Sequence, residues 1–423
     1  MSRWRPLLEG ALREQALGAV RDIAEALRDP ILGGAQAGAE SDATVVEDFS
    51  LCTGLAGIAL FHGYLAEAGL PGDAREVARR VLEEAEAALA EQKMGPSLCA
   101  GFAGIGWAHA HIRRGLFGER GRATLAELDE ALTSLLSDWP WPTEFDLLYG
   151  LVGIGVYALA NLPSRRARTI VRLVVERLAE SAVNVDGLAA WATAPGEQAF
   201  TPDGEFNLGL AHGTPSVVGF LGRVAAAGIA PRTTLPLLQR ATDWLLTQQQ
   251  AADRGSAYPR YCDRAGKPGP PARTAWCYGD PGVASALLAA GAGTKNRRWR
   301  AEAIDLARRA ARRPTDETGV VDAGICHGSA GVAHIFNRLY QATGQTVLRD
   351  AAIDWYQRTL GFRGRDRGVA GFGALDRRPQ RPTLHEVNDR SLLSGAAGIG
   401  LALLAAATPV EPMWDRIFLL DVS

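Results

Sequence analysis

The sequence predicts an all-α fold: helical hairpins repeated along the chain and closed into a ring, with inner helices lining a barrel and outer helices facing water. Three observations carry this. One glycine-centred phrase recurs seven times. The stretch after each copy is almost wholly apolar, which suits a buried helix. The stretches between copies carry apolar residues at spacings of three and four among charges, the pattern of a surface helix. A unit of roughly 50 residues with one helix of each kind makes a helical-repeat protein.

The first copy, LCTGLAGIAL around Gly54, is followed by the amphipathic DAREVARRVLEEAEAALAEQK. LCAGFAGIGW follows at Gly101 and LLYGLVGIGV at Gly150. LAHGTPSVVG at Gly213 departs from Gly-x-x-Gly, because Ser216 takes the second place. WCYGDPGVAS at Gly279 leads through VASALLAAG into RRWRAEAIDLARRAARR, an inner and then an outer helix. ICHGSAGVAH at Gly328 and LLSGAAGIGL at Gly395, which runs on into IGLALLAAA, complete the set. The first glycines are separated by 47, 49, 63, 66, 49 and 67 residues, so extra segments are expected in the middle and near the end. An insertion loop is expected over 362–388; its FRGRDRGVAGFGALDRRPQRP reads as solvated, because Gly and Pro punctuate it. Continuous β-type alternation is hard to find, and residues 1–423 read as a single domain.

Composition excludes several classes. With 47% hydrophobic and 22% charged residues and a net charge of −2, the 423-residue chain is an ordinary globular sequence with no electrostatic case for nucleic acid. Glu9, Arg13 and Glu14 interrupt the N-terminal stretch, which therefore does not read as a signal peptide. No run is long and apolar enough to span a bilayer. Five scattered cysteines do not make a disulfide framework, which points to a reducing, cytoplasmic setting and leaves metal or catalytic roles open to the thiols.

If every inner helix begins at its glycine pair, seven helix N-termini crowd one end of the ring, and the residues before each first glycine line that end. Unpaired amides there would favour anions, thiolates included. Directly before the first glycine stand Thr53, Ala100, Tyr149, His212, Tyr278, His327 and Ser394. One place earlier stand Cys52, Cys99, Leu148, Ala211, Cys277, Cys326 and Leu393. Copies four to six are neighbours in a ring and bring His212, Cys277, Cys326 and His327 to one corner. Cys277, Cys326 and His327 make a Cys₂His zinc site with an open fourth position, the catalytic pattern. His212 beside it is a candidate acid or base. Cys52 and Cys99, with no histidine in company, read as packing. His62, His109, His111 and His334 lie within or beyond helical runs and read as structural; His385 is left open. The tryptophans of SDWPWPTEF suit packing better than a peptide groove.

The seven glycine phrases together with WCYGDPG and ICHGSAG resemble the lanthionine synthetase C-like family, the cyclases of lanthipeptide biosynthesis. The resemblance covers essentially the whole chain, at the length of a stand-alone cyclase. It implies an α/α toroid of seven inner and seven outer helices and one zinc ion per chain held by Cys277, Cys326 and His327. It also implies a catalytic histidine in the A-H-G slot, His212, and an aspartate before the third repeat, Asp146 in FDLLYG. Arg273 in RTAWCYG matches the family arginine four residues before the first zinc cysteine, and Tyr278 follows that cysteine as in the family pattern. The implied activity is addition of peptide cysteine thiols to dehydroalanine or dehydrobutyrine, forming thioether rings. The implied partners are a dehydrated precursor peptide with leader and core, a lanthipeptide dehydratase and an export transporter. The implied setting is the cytoplasm, with peripheral membrane association in a biosynthetic complex.

Two other classes compete. One is a thiol- or glutathione-binding member of the same group, or one that adds glutathione to dehydrated residues. The other is a zinc α/α-barrel prenyltransferase, which needs a basic diphosphate cluster; only the arginines of 362–382 offer one, and an acidic leader peptide is an alternative partner for them.

Overall fold

The computed structural model describes residues 4–29, 48–70, 72–119, 123–138, 140–141, 144–196, 199–251, 255–376 and 385–422. Each glycine phrase opens a helix: α2 (Leu55–Glu67), α4 (Phe102–His109), α6 (Leu151–Ala160), α8 (Thr214–Ala226), α10 (Asp280–Thr294), α12 (Ser329–Thr343) and α14 (Ala396–Ala407). In α14 every residue is buried, and α10 is buried from Asp280 to Gly291. Each of these helices packs on the one before and the one after, and α14 packs on α2, so the inner ring is closed.

Outside it lie α3 (Ala74–Glu91), α5 (Ala123–Ser137), α7 (Arg165–Ser181), α9 (Pro231–Thr247), α11 (Arg297–Ala311) and α13 (Thr346–Gly361), each following its inner partner. Their buried residues fall on one stripe, as with Val77, Ala78, Val81, Leu82, Ala85 and Ala88 of α3. The seventh outer helix is supplied by the other end of the chain: α1 (Gly10–Ala26) packs on α14 and α13. That closure also completes the C-terminus of α14, whose last carbonyls have no partners within the helix. Trp4 Nε1 donates to Ala405 O at 2.8 Å, the Leu7 amide to Ala406 O at 2.7 Å and Arg13 Nε to Ala407 O at 2.9 Å. The molecule is an α/α toroid.

The three long intervals hold three antiparallel strand pairs: β1 (Val183–Val185) with β2 (Leu188–Ala190), β3 (Glu205–Asn207) with β4 (Tyr261–Asp263), and β5 (Ala374–Asp376) with β6 (His385–Val387). Strands of three residues are too short to show alternation in a sequence. The β3–β4 pair joins the segment before α8 to the segment before α10. Within 362–388, residues 377–384 and the His385 side chain lie outside the described residues. Arg363 pairs with Asp22, and Arg367 with Glu386 at 2.7 Å, both at the surface.

A belt of backbone hydrogen bonds ties the seven loops together. The amide of Cys52 donates to Cys99 O (3.1 Å), Cys99 to Leu148 O (2.9 Å), Ala211 to Cys277 O (3.4 Å), Cys277 to Cys326 O (3.2 Å), Cys326 to Leu393 O (2.9 Å) and Leu393 to Cys52 O (2.9 Å). Between the third and fourth copies the donor steps back one residue, from Leu148 to Leu147, which reaches Ala211 O at 3.3 Å. The slot two places before the first glycine is therefore the belt itself, and all seven inner helices start from it.

The far end of the ring is filled by the C-terminal turn Met413–Phe418. Buried Asp415 accepts from Arg338 Nε at 2.6 Å and is hydrogen-bonded to His334 at 2.7 Å, while Trp414 stacks on that histidine. His62 bonds Leu27 O, His109 bonds Glu86 and His111 bonds the Tyr64 hydroxyl. Among the described residues, no helix is long and apolar enough to cross a membrane.

Candidate active site

Every loop on the belt doubles back tightly before its helix. In five of the seven the amide following the first glycine donates to the carbonyl six places before that glycine: Leu55 to Asp48 (2.8 Å), Phe102 to Gly95 (3.0 Å), Leu151 to Glu144 (3.1 Å), Ser329 to Asp322 (2.9 Å) and Ala396 to Asp389 (3.0 Å). A Cβ at Gly54, Gly101, Gly150 or Gly213 would lie 2.1 Å from that carbonyl oxygen, so a side chain is excluded there. Gly279 adds a φ of +135°, which L-residues rarely adopt. Ser216 keeps its side chain in the fourth copy by turning Oγ back to donate to Gly213 O at 2.8 Å. These turns correct one expectation. The loops' own carbonyls occupy amides at the helix starts, and in copies one, three, six and seven the second amide is taken as well. The belt end is therefore not a set of seven open anion sites, since five of its helix starts already hold a loop carbonyl.

The candidate side chains converge on loops three to six. One ligand atom each from Cys277, Cys326 and His327 lies within 4.8 Å of the other two, on adjacent loops joined by a belt hydrogen bond. Two soft thiols, one imidazole and no carboxylate in that group suit Zn²⁺. The Cys326 thiol beside it, with His327 and Arg273, holds Cys277 well below the usual thiol range against the effect of burial. Cys326, half-buried beside that thiolate, is pushed up. Burial opposes charge on His327, yet the Asp322 carboxylate and Cys277 push it up to about 9. Asp322 Oδ2 lies 3.5 Å from His327 Nε2. Arg273 forms no salt bridge among the described residues, and its charge acts on both cysteines.

His212 and Asp146 form a second unit beside the first. His212 Nδ1 lies 2.5 Å from Asp146 Oδ2, while Asp146 Oδ1 accepts the Tyr149 amide at 2.7 Å. The carboxylate is thus fixed by its own loop and fixes the imidazole in turn, leaving Nε2 as the nitrogen for proton exchange. Side-chain exposure is 24% for His212 and 5% for Asp146, so the histidine is reachable and its partner sealed. Tyr149 stacks on one side of the ring at 5.9 Å and Tyr278 lies on it at 6.3 Å. Tyr278 directly follows Cys277, and its hydroxyl accepts from Asn207 Nδ2 at 3.1 Å.

The structure thus gathers Cys277, Cys326, His327, His212, Asp146, Arg273 and Tyr278 on four consecutive loops. Cys52 and Cys99 share the belt slot but are buried outside the metal-type cluster. Trp139 lies outside the described residues, and Trp141 packs on the core with its Nε1 donating to Glu144 O. Sequence reasoning missed Asp322, Asn207 and the stacking role of Tyr149. The signal for the first two was available. Both stand six places before their first glycine, the column that also holds Arg273.

Comparison with solved structures places nisin cyclase over 98% of this chain and 98% of its own, with a TM-score of 0.74 at 18% identity. A polysaccharide lyase matches at a TM-score of 0.43 and 14% identity over 93% and 96% of the two chains, too loose a likeness to bear on function. No curated protein matches the sequence. The family described as lanthionine synthetase C-like protein matches residues 45–419. With that match running from the lead-in of the first glycine loop to the end of the C-terminal turn, the chain belongs to the lanthionine synthetase C-like family.

Proposed function

We propose that the protein is a zinc-dependent lanthipeptide cyclase, its whole length 1–423 forming one domain of this family. What supports the reading is the joint presence, on neighbouring loops, of the Cys277–Cys326–His327 cluster and the His212–Asp146 pair. The chemistry needs both. A free cysteine thiol has a pKa of about 8.5, so only a few per cent is ionised near neutrality. Zinc held by Cys277, Cys326 and His327 would keep a substrate thiol deprotonated, while two protein thiolates offset its charge and preserve the sulfur's nucleophilicity.

The peptide sulfur then forms a bond to the β-carbon of dehydroalanine or dehydrobutyrine. The π-electron pair moves towards the α-carbon and its carbonyl as an enolate. One proton, lost from the thiol, is regained at the α-carbon, so nothing leaves and mass is unchanged. His212, oriented by Asp146, is the group that moves it, as base towards the thiol or as acid towards the α-carbon. Arg273 supplies positive charge for the enolate. The substrate is a dehydrated precursor peptide, made by a dehydratase and passed to an exporter, and the setting is the cytoplasm or its membrane face.

Incubation with dehydrated peptides tests this. Thiol alkylation followed by mass spectrometry counts the cysteines consumed. His212→Ala should retain zinc and fold while ring closure slows by about 10²–10⁴-fold, the usual contribution of an acid–base group. Near wild-type closure by that variant would remove the histidine from the mechanism. Consumption of free glutathione in place of peptide thiols would favour the glutathione-adding reading.

A further inference from the structure

Two of the segments that lengthen the repeats meet beside His212. The segment before α8 carries Phe200, the segment before α10 carries Tyr261, and the β3–β4 pair joins them through Phe206 opposite Cys262. Phe200 stacks on Tyr261 (5.3 Å, 17°) and meets Tyr278 edge-on (5.5 Å, 71°). Tyr278 in turn lies on His212 at 6.3 Å. The rings form an unbroken row from the histidine to a lip made by the two insertions.

At the end of that row Phe200 is 42% exposed. It is exposed but held. Buried Glu205, the first residue of β3, accepts the Phe200 amide at 3.0 Å and the Thr201 amide at 3.1 Å through one carboxylate oxygen. Burying a carboxylate is unfavourable, and here its bonds organise the turn that presents the aromatic ring. The inner ring closes without this turn.

We propose that Phe200, backed by Tyr261 and Tyr278, is a specificity subsite that takes an apolar side chain of the dehydrated peptide next to the reacting residue. This rests on the cyclase reading above. The occupant follows from chemistry and reach. An aromatic face and edge favour aliphatic and aromatic groups over polar ones. The two centroid steps of 6.3 and 5.5 Å place Phe200 no more than about 12 Å from His212, and one extended residue advances the chain about 3.3 Å, so a large side chain on the residue next to the reacting one covers the remainder.

The probes are synthetic peptides N-acetyl-Dha-Xaa-Gly-Gly-Cys with Xaa Leu, Phe or Gly, and labelled versions with Ala for Cys that bind but cannot close. Wild-type protein should bind and close the Leu and Phe peptides about tenfold better than the Gly peptide, the size of one aromatic contact. Phe200→Ala should erase that preference through binding and KM, and Phe200→Leu should restore most of it. Equal handling of Leu and Gly by the wild type, or a preference surviving in Phe200→Ala, would overturn the subsite while leaving ring closure intact. If the wild type closes none of the peptides, the cyclase reading and the subsite fall together.

Discussion

The toroid contains the same pair of cysteines twice. Cys52 and Cys99 occupy the belt slot of copies one and two, and Cys277 and Cys326 that of copies five and six. The backbone treats them alike: Cys52 N donates to Cys99 O at 3.1 Å and Cys277 N to Cys326 O at 3.2 Å. In both pairs one thiol acts on the titration of the other. Their chemistry is opposite. Burial, then the adjacent Cys99 thiol and the nearby Asp48 carboxylate, pushes the Cys52 thiol well up. Cys277 is held well below the ordinary range, with His327 and Arg273 facing it. The difference lies in two other columns of the repeat. Six places before the glycine, Asp48 and Gly95 stand where the active pair has Arg273 and Asp322; one place before it, Thr53 and Ala100 stand where it has Tyr278 and His327. The repeat sets where a thiol sits, and its neighbours set what the thiol does.

The most drastic way to break the comparison is to remove one cysteine at a time. Cys277→Ala and Cys326→Ala should each take bound zinc from about one equivalent to near none, since two ligands hold zinc poorly, and ring closure should fall with it. Cys52→Ala and Cys99→Ala should keep both, at a cost of about 1 kcal/mol of stability for a small buried group. Elemental analysis beside the alkylation assay reads all four. Zinc lost from the Cys52 or Cys99 variant would show that the two pairs are not distinct after all.

A milder test makes copy six resemble copy two. Asp322 lies 3.5 Å from His327, a place that copy two leaves to Gly95. Asp322→Asn keeps the shape and removes the charge. Carboxylates behind a ligating histidine typically contribute 10–100-fold in metal affinity, so competition with a chelator should show a loss of about that size. Unchanged affinity would make the contact incidental.

The ring was legible because its repeat is carried by backbone constraint. A Cβ at each first glycine meets a backbone atom of its own loop at 2.5 Å or closer, so the seven phrases stay recognisable while their flanks drift. Convergence of Cys277, Cys326, His327 and His212 followed from neighbouring copies being neighbours in space. Closure by α1 was not legible, because α1 lacks a glycine phrase and its partner α14 lies at the other end of the chain. Satisfaction of the helix-start amides was missed for a different reason. It depends on loop carbonyls that every residue has, and no side-chain pattern announces it. Asp322 and Asn207 stood in a readable column, but one whose six-residue offset acquires meaning only once the loop is seen to fold back on the glycine.

The sharpest form of the comparison is construction rather than removal. Ala100 is exposed, and a Cβ at Gly95 would meet nothing within 4 Å, so both positions accept larger side chains. Ala100→His places an imidazole after Cys99 as His327 follows Cys326, and Gly95→Asp supplies the carboxylate behind it. Asp48 in place of Arg273 is no obstacle to a cation. The double variant should bind a second zinc or cobalt(II) equivalent, weaker than the native site and visible as cobalt–thiolate absorption, and Ala100→His alone should bind it about 10–100-fold more weakly still. Catalysis should not follow. The copy preceding this pair in the ring ends in Ser394 where the native site has His212. In a Cys277→Ala background the rebuilt site should therefore hold metal and close no rings. A single metal equivalent would show that the slot geometry differs between the two pairs, and ring closure from the rebuilt site would show that metal alone is sufficient.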